Sequence, residues 1–363
     1  MSSSPTSAHR EVALQTIFML LETIAIAPST PGGSAQSQIP QLLALLTRTL
    51  NDPESMGVRV WSIRALGKLS EFLEVGEDAE IVSTFPLLAT CYVYSPTFVL
   101  QAAFQNLVPS IVNVLSAALE ESDEASAKSI FEMIESLTLS EVPLLTPHLA
   151  NLVQFLMTAS ANANYENDLR IMALNSLLWV VKFKKSKIQQ LNLAGSIITA
   201  LLPIGAEPEP LDVDDDVPAR TAFRVIDVLA TSLPPAQVFP PLFEQVRTLA
   251  SSPDAGLRKS AITAFGVVVE GCSLFIQPHL ESLWPLIQGG LQDPEVIVRK
   301  AACTALGCLC EMLEEECAKQ HAMLLPVRIR LFRLSANQTH TILALCNSSS
   351  RNLWETQLLD DKP

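Results

Sequence analysis

RVWSIRALG (Arg59 to Gly67), RKSAITAFG (Arg258 to Gly266) and RKAACTALG (Arg299 to Gly307) carry one signature: an arginine, an alanine six residues on, an apolar residue and a glycine. The last two copies begin 41 residues apart, and looser copies open at Arg170 (RIMALNSLL) and Arg220 (RTAFRVIDV). A period near 40 is that of HEAT-type helix pairs, in which each repeat is one helical hairpin and neighbours share the core. Turn signals precede the arginines: Asn51-Asp52-Pro53, Ser252-Pro253-Asp254 and Asp293-Pro294-Glu295 offer a capping side chain beside a proline, which suits a helix start.

Working outward, a second class of helix start is a proline followed by leucines: IPQLLALL from Ile39, FPLLA from Phe85, TPHLANLV from Thr146, FPPLF from Phe239 and QPHLESL from Gln277. Naming these A helices and the arginine-anchored ones B helices, the sequence predicts A starts near 38, 81, 109, 147, 188, 239, 278 and 320. B starts are predicted near 8, 55, 96, 124, 166, 218, 256 and 295. Strict alternation without strands predicts an all-α solenoid over residues 1–326, of about seven to eight helix pairs. Most of the 24 prolines are placed at helix boundaries, where a missing N–H costs little. Two irregular segments interrupt the array, a Pro/Gly/Ser loop at Ala27 to Gln38 and an acidic loop across 205–218. Beyond Val327 the pattern fails, so residues 327–363 are expected to form an atypical, poorly packed tail.

The 363 residues carry 38 acids against 24 Lys and Arg, a formal charge of −14, which disfavours direct nucleic-acid binding and favours basic partners. The seven cysteines lack the paired spacing of a secreted disulfide framework, and MSSSPTSAHREVAL does not read as a secretory signal. The longest apolar runs read as shorter than a bilayer span of about 20 residues, so no membrane insertion is expected. No phosphate-binding glycine loop is present, and His148 and His279 repeat one structural position in a Pro-His-Leu. Cys308 and Cys310 lie roughly 200° apart on a helix and cannot share one ion. The expectation is no catalytic residues, no metal and no cofactor, with Cys303, Cys308, Cys310 and Cys317 as core thiols and Trp61, Trp179 and Trp284 in helix packing. Asp52, Asp168, Asp254 and Asp293, beside Arg59, Arg170, Arg258 and Arg299, are expected to cap helices and pair between repeats.

Two longer stretches, PARTAFRVIDVLATSLPPAQVFPPL (Pro218 to Leu242) directly after the acidic run and LQDPEVIVRKAACTALGCLCEML (Leu291 to Leu313), resemble the importin-beta (karyopherin-beta) family of nuclear transport receptors, nearest its importin-four branch. The resemblance covers about residues 11–326 of a longer family pattern. It implies a nuclear import receptor shuttling between cytoplasm and nucleus, which takes basic cargo such as histones or ribosomal proteins and meets the Phe-Gly repeats of nucleoporins. The family's main site for the GTPase Ran lies in amino-terminal repeats that precede the matched stretch. Cargo or Ran contact falls by resemblance on Glu207, Glu209, Asp212, Asp214, Asp215 and Asp216, whose local charge is unopposed. A solvated loop is the plainer reading of those six. Glu311, Glu314, Glu315 and Glu316 read as a solvated helix face, and KFKKSK (Lys182 to Lys187) as a cationic helix end. A general HEAT scaffold, of the phosphatase or microtubule-associated type, is the alternative function on the same fold.

Overall fold

Helices follow the order that the punctuation predicts, except that Pro96–Gln105, expected as a B helix, does not enter the B stack: Met56–Ser70 packs directly on Glu124–Leu139. The computed structural model describes residues 6–26, 35–70, 96–209 and 216–319, and divides into two compact units at 187/188. The expected A helices near 81 and 320 and the tail 327–363 lie outside the described residues, among which no strand occurs. The architecture is an all-α solenoid of HEAT-type pairs.

In chain order the first unit holds α1 (Ser7–Ile26), α2 (Ala35–Leu50), α3 (Met56–Ser70), α4 (Pro96–Gln105), α5 (Val108–Glu120), α6 (Glu124–Leu139), α7 (Leu149–Ala161) and α8 (Asn167–Phe183). Its B helices stack directly: α1 on α3, α3 on α6, α6 on α8, while α2, α5 and α7 each pack on the B helix that follows them. The short α9 (Lys185–Gln190) follows α8. The second unit then holds α10 (Ala194–Gly205), α11 (Pro218–Ser232), α12 (Pro235–Leu249), α13 (Ala255–Ile276), α14 (Leu280–Leu291), α15 (Val296–Met312) and α16 (Glu314–Lys319). There α11, α13 and α15 form the B stack, with α10, α12 and α14 as the A layer.

Several A starts differ from expectation. The helix expected near 188 begins at Ala194, because α9 intervenes and Asn192 turns the chain with φ 51°. The helix expected near 239 begins at Pro235, so Pro240 and Pro241 lie inside α12, as Pro203 and Pro285 lie inside α10 and α14. A proline within the helix forfeits an N–H donor, a cost met here by packing of the buried Val238, Phe239, Leu242 and Val246. Before α7 and α14 the Pro-His sequences make a single 3-10 turn each, and the α-helices start at Leu149 and Leu280.

The glycine that closes the signature has a packing reason at Gly266, though a Cβ on Gly307 would meet nothing within 4 Å. A Cβ on Gly266 would sit 3.0 Å from Ala305 Cα, where α13 crosses α15, and one on Gly271 would lie 2.3 Å from the Ala230 carbonyl of α11. Two B helices therefore meet at backbone distance. The residue before the glycine fills the core: Leu66 and Phe265 are fully buried.

The apolar runs also extend further than the sequence suggests. Gln101–Glu120 and Ala255–Leu291 are long and apolar enough to cross a membrane by length and composition, and about half of each window (44% and 56%) is buried within the fold. Their apolar character serves contact with helices on more than one side.

The anchor arginines tie turn to turn. Arg258 donates to the Ser252 and Pro253 carbonyls of its own turn (2.9 and 3.1 Å) and, through Nε and Nη2, to both carboxylate oxygens of Asp293 in the next turn (2.7 and 2.9 Å). Arg299 repeats the first half, reaching the Asp293 and Pro294 carbonyls at 2.7 Å. In the first unit the bridging arginine is Arg10, which grips Asp52 through two bonds (2.8 and 3.1 Å). Arg59 stands near this turn, but its Nε is buried without a hydrogen-bond partner among the described residues. Arg170 donates to the Ser160 carbonyl at 2.8 Å. Asp52 and Asp293 also accept backbone N–H bonds from Glu54 and Ser55, and from Glu295. Burial pushes the Asp52 carboxyl up, but Arg10 and these amides outweigh it and hold it below its ordinary value; Arg258 does the same for Asp293. Asp254 caps α13 through the Gly256 N–H at 2.8 Å. Asp168 departs from the pattern: it lies exposed in the first turn of α8, inside the helix instead of ahead of it, where only the helix dipole can use its charge.

Candidate functional site: an acidic groove on three stacked helices

The B helices of the second unit carry a charged row across the stack. Asp227 on α11, Glu270 on α13 and Glu311 on α15 line one open groove of ≈ 420 Å³ with Phe223, Gly266, Val267, Cys308 and Met312, and with Arg220 and Arg224 at one side. Glu270 and Glu311 occupy the same register, each twelve residues after its anchor, Arg258 or Arg299. The shared anchor geometry thus delivers one carboxylate per repeat to the same face.

Electrostatically the row is crowded. Burial first, and then the charge of Glu270, raise the Asp227 carboxyl above its ordinary value. The Cys308 thiol is raised by burial and by Glu311, Glu270 and Asp227, so it stays protonated and adds no charge. Three carboxylates gathered on one face repel one another, a repulsion that an entering cation relieves.

The acidic run behaves differently from a free loop. Glu209 accepts from Lys259 Nζ at 2.9 Å and from Arg220 Nε at 3.2 Å; burial raises its carboxyl, but Lys259 and Arg220 outweigh this and hold it below the ordinary range. Lys259 also donates to the Glu207 carbonyl. Asp216 pairs with Arg224 at 3.1 Å, both side chains more than half exposed. Asp212, Asp214 and Asp215 lie outside the described residues. The structure therefore brings Glu209 and Asp216 to arginines of the groove. Glu311, read from sequence as solvated surface, belongs to the groove itself, and Asp227 and Glu270 were not singled out at all.

Elsewhere, no three His, Cys, Asp or Glu side chains gather as a metal site among the described residues. Cys272 is buried, which pushes its thiol up to about 11, and Cys317 is buried beside Cys310 with its thiol raised; Cys303, Cys308 and Cys310 are half-buried. His279 is exposed beside Phe275, and Trp284 is buried. In the first unit Trp179 stacks on Phe183 at 5.4 Å with Lys182 over both rings.

A family model described as a HEAT-like repeat matches residues 255–309, the segment from α13 to α15. A Schizosaccharomyces pombe protein named "Probable importin subunit beta-4" is 32% identical over 236 residues, 65% of this chain and 22% of that protein. Importin-4 of Homo sapiens is 28% identical over 327 residues, 84% of this chain and 28% of its own. In sequence the chain is thus similar to proteins named importins. Crystal structures of Kap121p share the fold of this chain: that bound to the extreme C-terminus of the phosphatase Cdc14p superposes with a TM-score of 0.76 at 17% identity, over 98% of this chain and 34% of the other. The Kap121p structure bound to Nup53p gives 0.72 at 18% identity, over 99% and 35%. The chain spans less than a third of the curated relatives named above.

Proposed function

We propose that this chain supplies cargo recognition in a nuclear import receptor, and that the groove of Asp227, Glu270 and Glu311 holds a lysine-rich segment of the cargo. The observation that carries the reading is one carboxylate from each of three successive B helices on one face. Two findings support it. The relatives are named importins, and one crystal structure is of a Kap121p mutant in which three acidic residues, each about 40 residues from the next, are changed to lysine. Basic cargo of the histone or ribosomal-protein class fits the chemistry, as does nucleoporin contact of the kind the Nup53p complex displays for Kap121p. Glu207, Asp212, Asp214 and Asp215 add long-range attraction for such cargo, or meet Ran. Shuttling between cytoplasm and nucleus follows from the same reading, and no enzymatic step is part of it.

The test is binding of a fluorescein-labelled histone-tail peptide, followed by anisotropy. Changing Asp227→Asn, Glu270→Gln and Glu311→Gln together should weaken it at least tenfold at low salt, and less at high salt because exposed charges are screened over about 8 Å at physiological ionic strength. Unchanged affinity in a variant that keeps its helical circular dichroism would refute the groove as the cargo site and leave a general scaffold as the better description.

A further inference from the structure

The groove has cations of its own. Arg220 and Arg224 lie four residues apart on α11, hence on one face, and Asp227 follows Arg224 by three. All three line the groove. Left uncompensated, two guanidinium groups would cancel most of the field of Asp227, Glu270 and Glu311, and would repel a lysine-rich segment that approached it.

Each arginine is matched by a carboxylate from a flank of the acidic run. Glu209 is half-buried between Arg220 and Lys259, a fixed contact. Asp216 meets Arg224 in a more exposed pair, with side-chain exposures of 64% and 57%. We infer that Glu209 and Asp216 promote binding of basic segments without touching them, by neutralising Arg220 and Arg224 beside the groove and leaving the three groove carboxylates unopposed. The inference rests on the reading of the groove as a site for basic segments. A further sign points the same way: the Asp227 carboxyl is raised by burial and Glu270, and is not drawn down by Arg224, whose guanidinium is turned to Asp216. The acidic run then acts as a mask over two positive charges, a role that differs from direct capture of cargo in what happens when the arginines are removed.

A charge cycle on the full chain separates the two roles, with fluorescein-labelled hexalysine as the probe at low salt. Asp216→Asn should weaken hexalysine by about threefold, the scale of one exposed ion pair. Arg224→Gln alone should tighten it by about twofold. In the Arg224→Gln background, Asp216→Asn should give back no more than that twofold gain and return affinity to wild type, and Glu209→Gln should likewise return the Arg220→Gln variant only to wild type. Asp216 is exposed, so these variants should keep wild-type melting curves; Glu209→Gln, which also releases Lys259, is read only alongside them. A threefold loss of equal size in both backgrounds means direct contact with the probe and overturns the inference, and so does an Asp216→Asn variant that binds as wild type. Failure of the groove reading looks different: hexalysine affinity then survives loss of all three groove carboxylates.

Discussion

The second unit places acids on a register where the first unit carries both signs. Counting twelve residues from the anchor arginine leads to Glu270 from Arg258 and to Glu311 from Arg299 in the second unit. In the first it leads to Glu22 from Arg10 and Glu71 from Arg59, but from Arg170 to Lys182, whose ammonium lies over Trp179 and Phe183. The scaffolding around the position is the same in kind. An arginine fixes the turn in each unit: Arg10 grips Asp52 as Arg258 grips Asp293, and a B helix packs on the next B helix. Anchor and display positions are therefore separable. The anchor must satisfy buried carbonyls and a carboxylate, which leaves little choice of residue, whereas the position three turns later is exposed and free to carry either sign.

The comparison is tested most severely in the core beneath these positions. Phe265→Ala, at a fully buried ring, should destabilise the second unit by about 3–5 kcal/mol, read by urea denaturation, whereas Leu306→Ala at the same motif position of α15, only half-buried, should cost clearly less. Equal costs would show that the signature does not mark the core depth proposed for it. Next in size is the charge row: replacing Lys182 by Glu should leave histone-tail affinity within about threefold, since one exposed charge has a small effect, against the tenfold or greater loss expected from the groove triple. A tenfold gain from Lys182→Glu would make the register, not the groove, the binding determinant.

Smaller effects follow from protonation. Asp293 is depressed below its ordinary value of 3.8, so the stability it contributes is fully present above that value and is lost as pH falls from there through the folded value. Asp293→Asn should melt earlier than wild type at neutral pH, and the gap should close in strong acid. Asp227 has the reverse sign. Its folded value is raised, so the native state keeps the proton longer than the unfolded chain and stability falls as pH rises from 3.8 through the raised value. Asp227→Asn should therefore be slightly more stable than wild type at neutral pH while binding basic peptide more weakly; an Asn variant less stable than wild type would contradict the crowding of Asp227 and Glu270.

The helix order was legible because HEAT pairing prints itself on the chain: the arginine ties turns together, the alanine at Ala65, Ala264 and Ala305 is buried, and both recur. Boundaries were less legible where proline misled. FPPLF looks like a start, yet α12 begins four residues earlier, since packing of Val238 and Phe239 tolerates two prolines inside the helix. The groove was harder still. Asp227, Glu270 and Glu311 are isolated in sequence, and only stacking of α11, α13 and α15 makes them neighbours, whereas the run from Glu207 to Asp216 drew notice by density. The signal that could have found two of the three was the fixed offset from Arg258 and Arg299. Arg10 was missed for a similar reason: it sits at the anchor position of α1 without the rest of the signature.

The backbone contacts at Gly266 and Gly271 bear on what a ligand must look like. Helices that touch through glycine cannot be squeezed closer and stand about 8–10 Å apart, while an extended peptide advances about 3.3 Å per residue. Carboxylates carried one per helix are then graduations on a stiff ruler. A strand laid across them meets a mark at roughly every third residue, so the pitch of positive charge along a ligand, more than its total, sets how many marks it can meet at once.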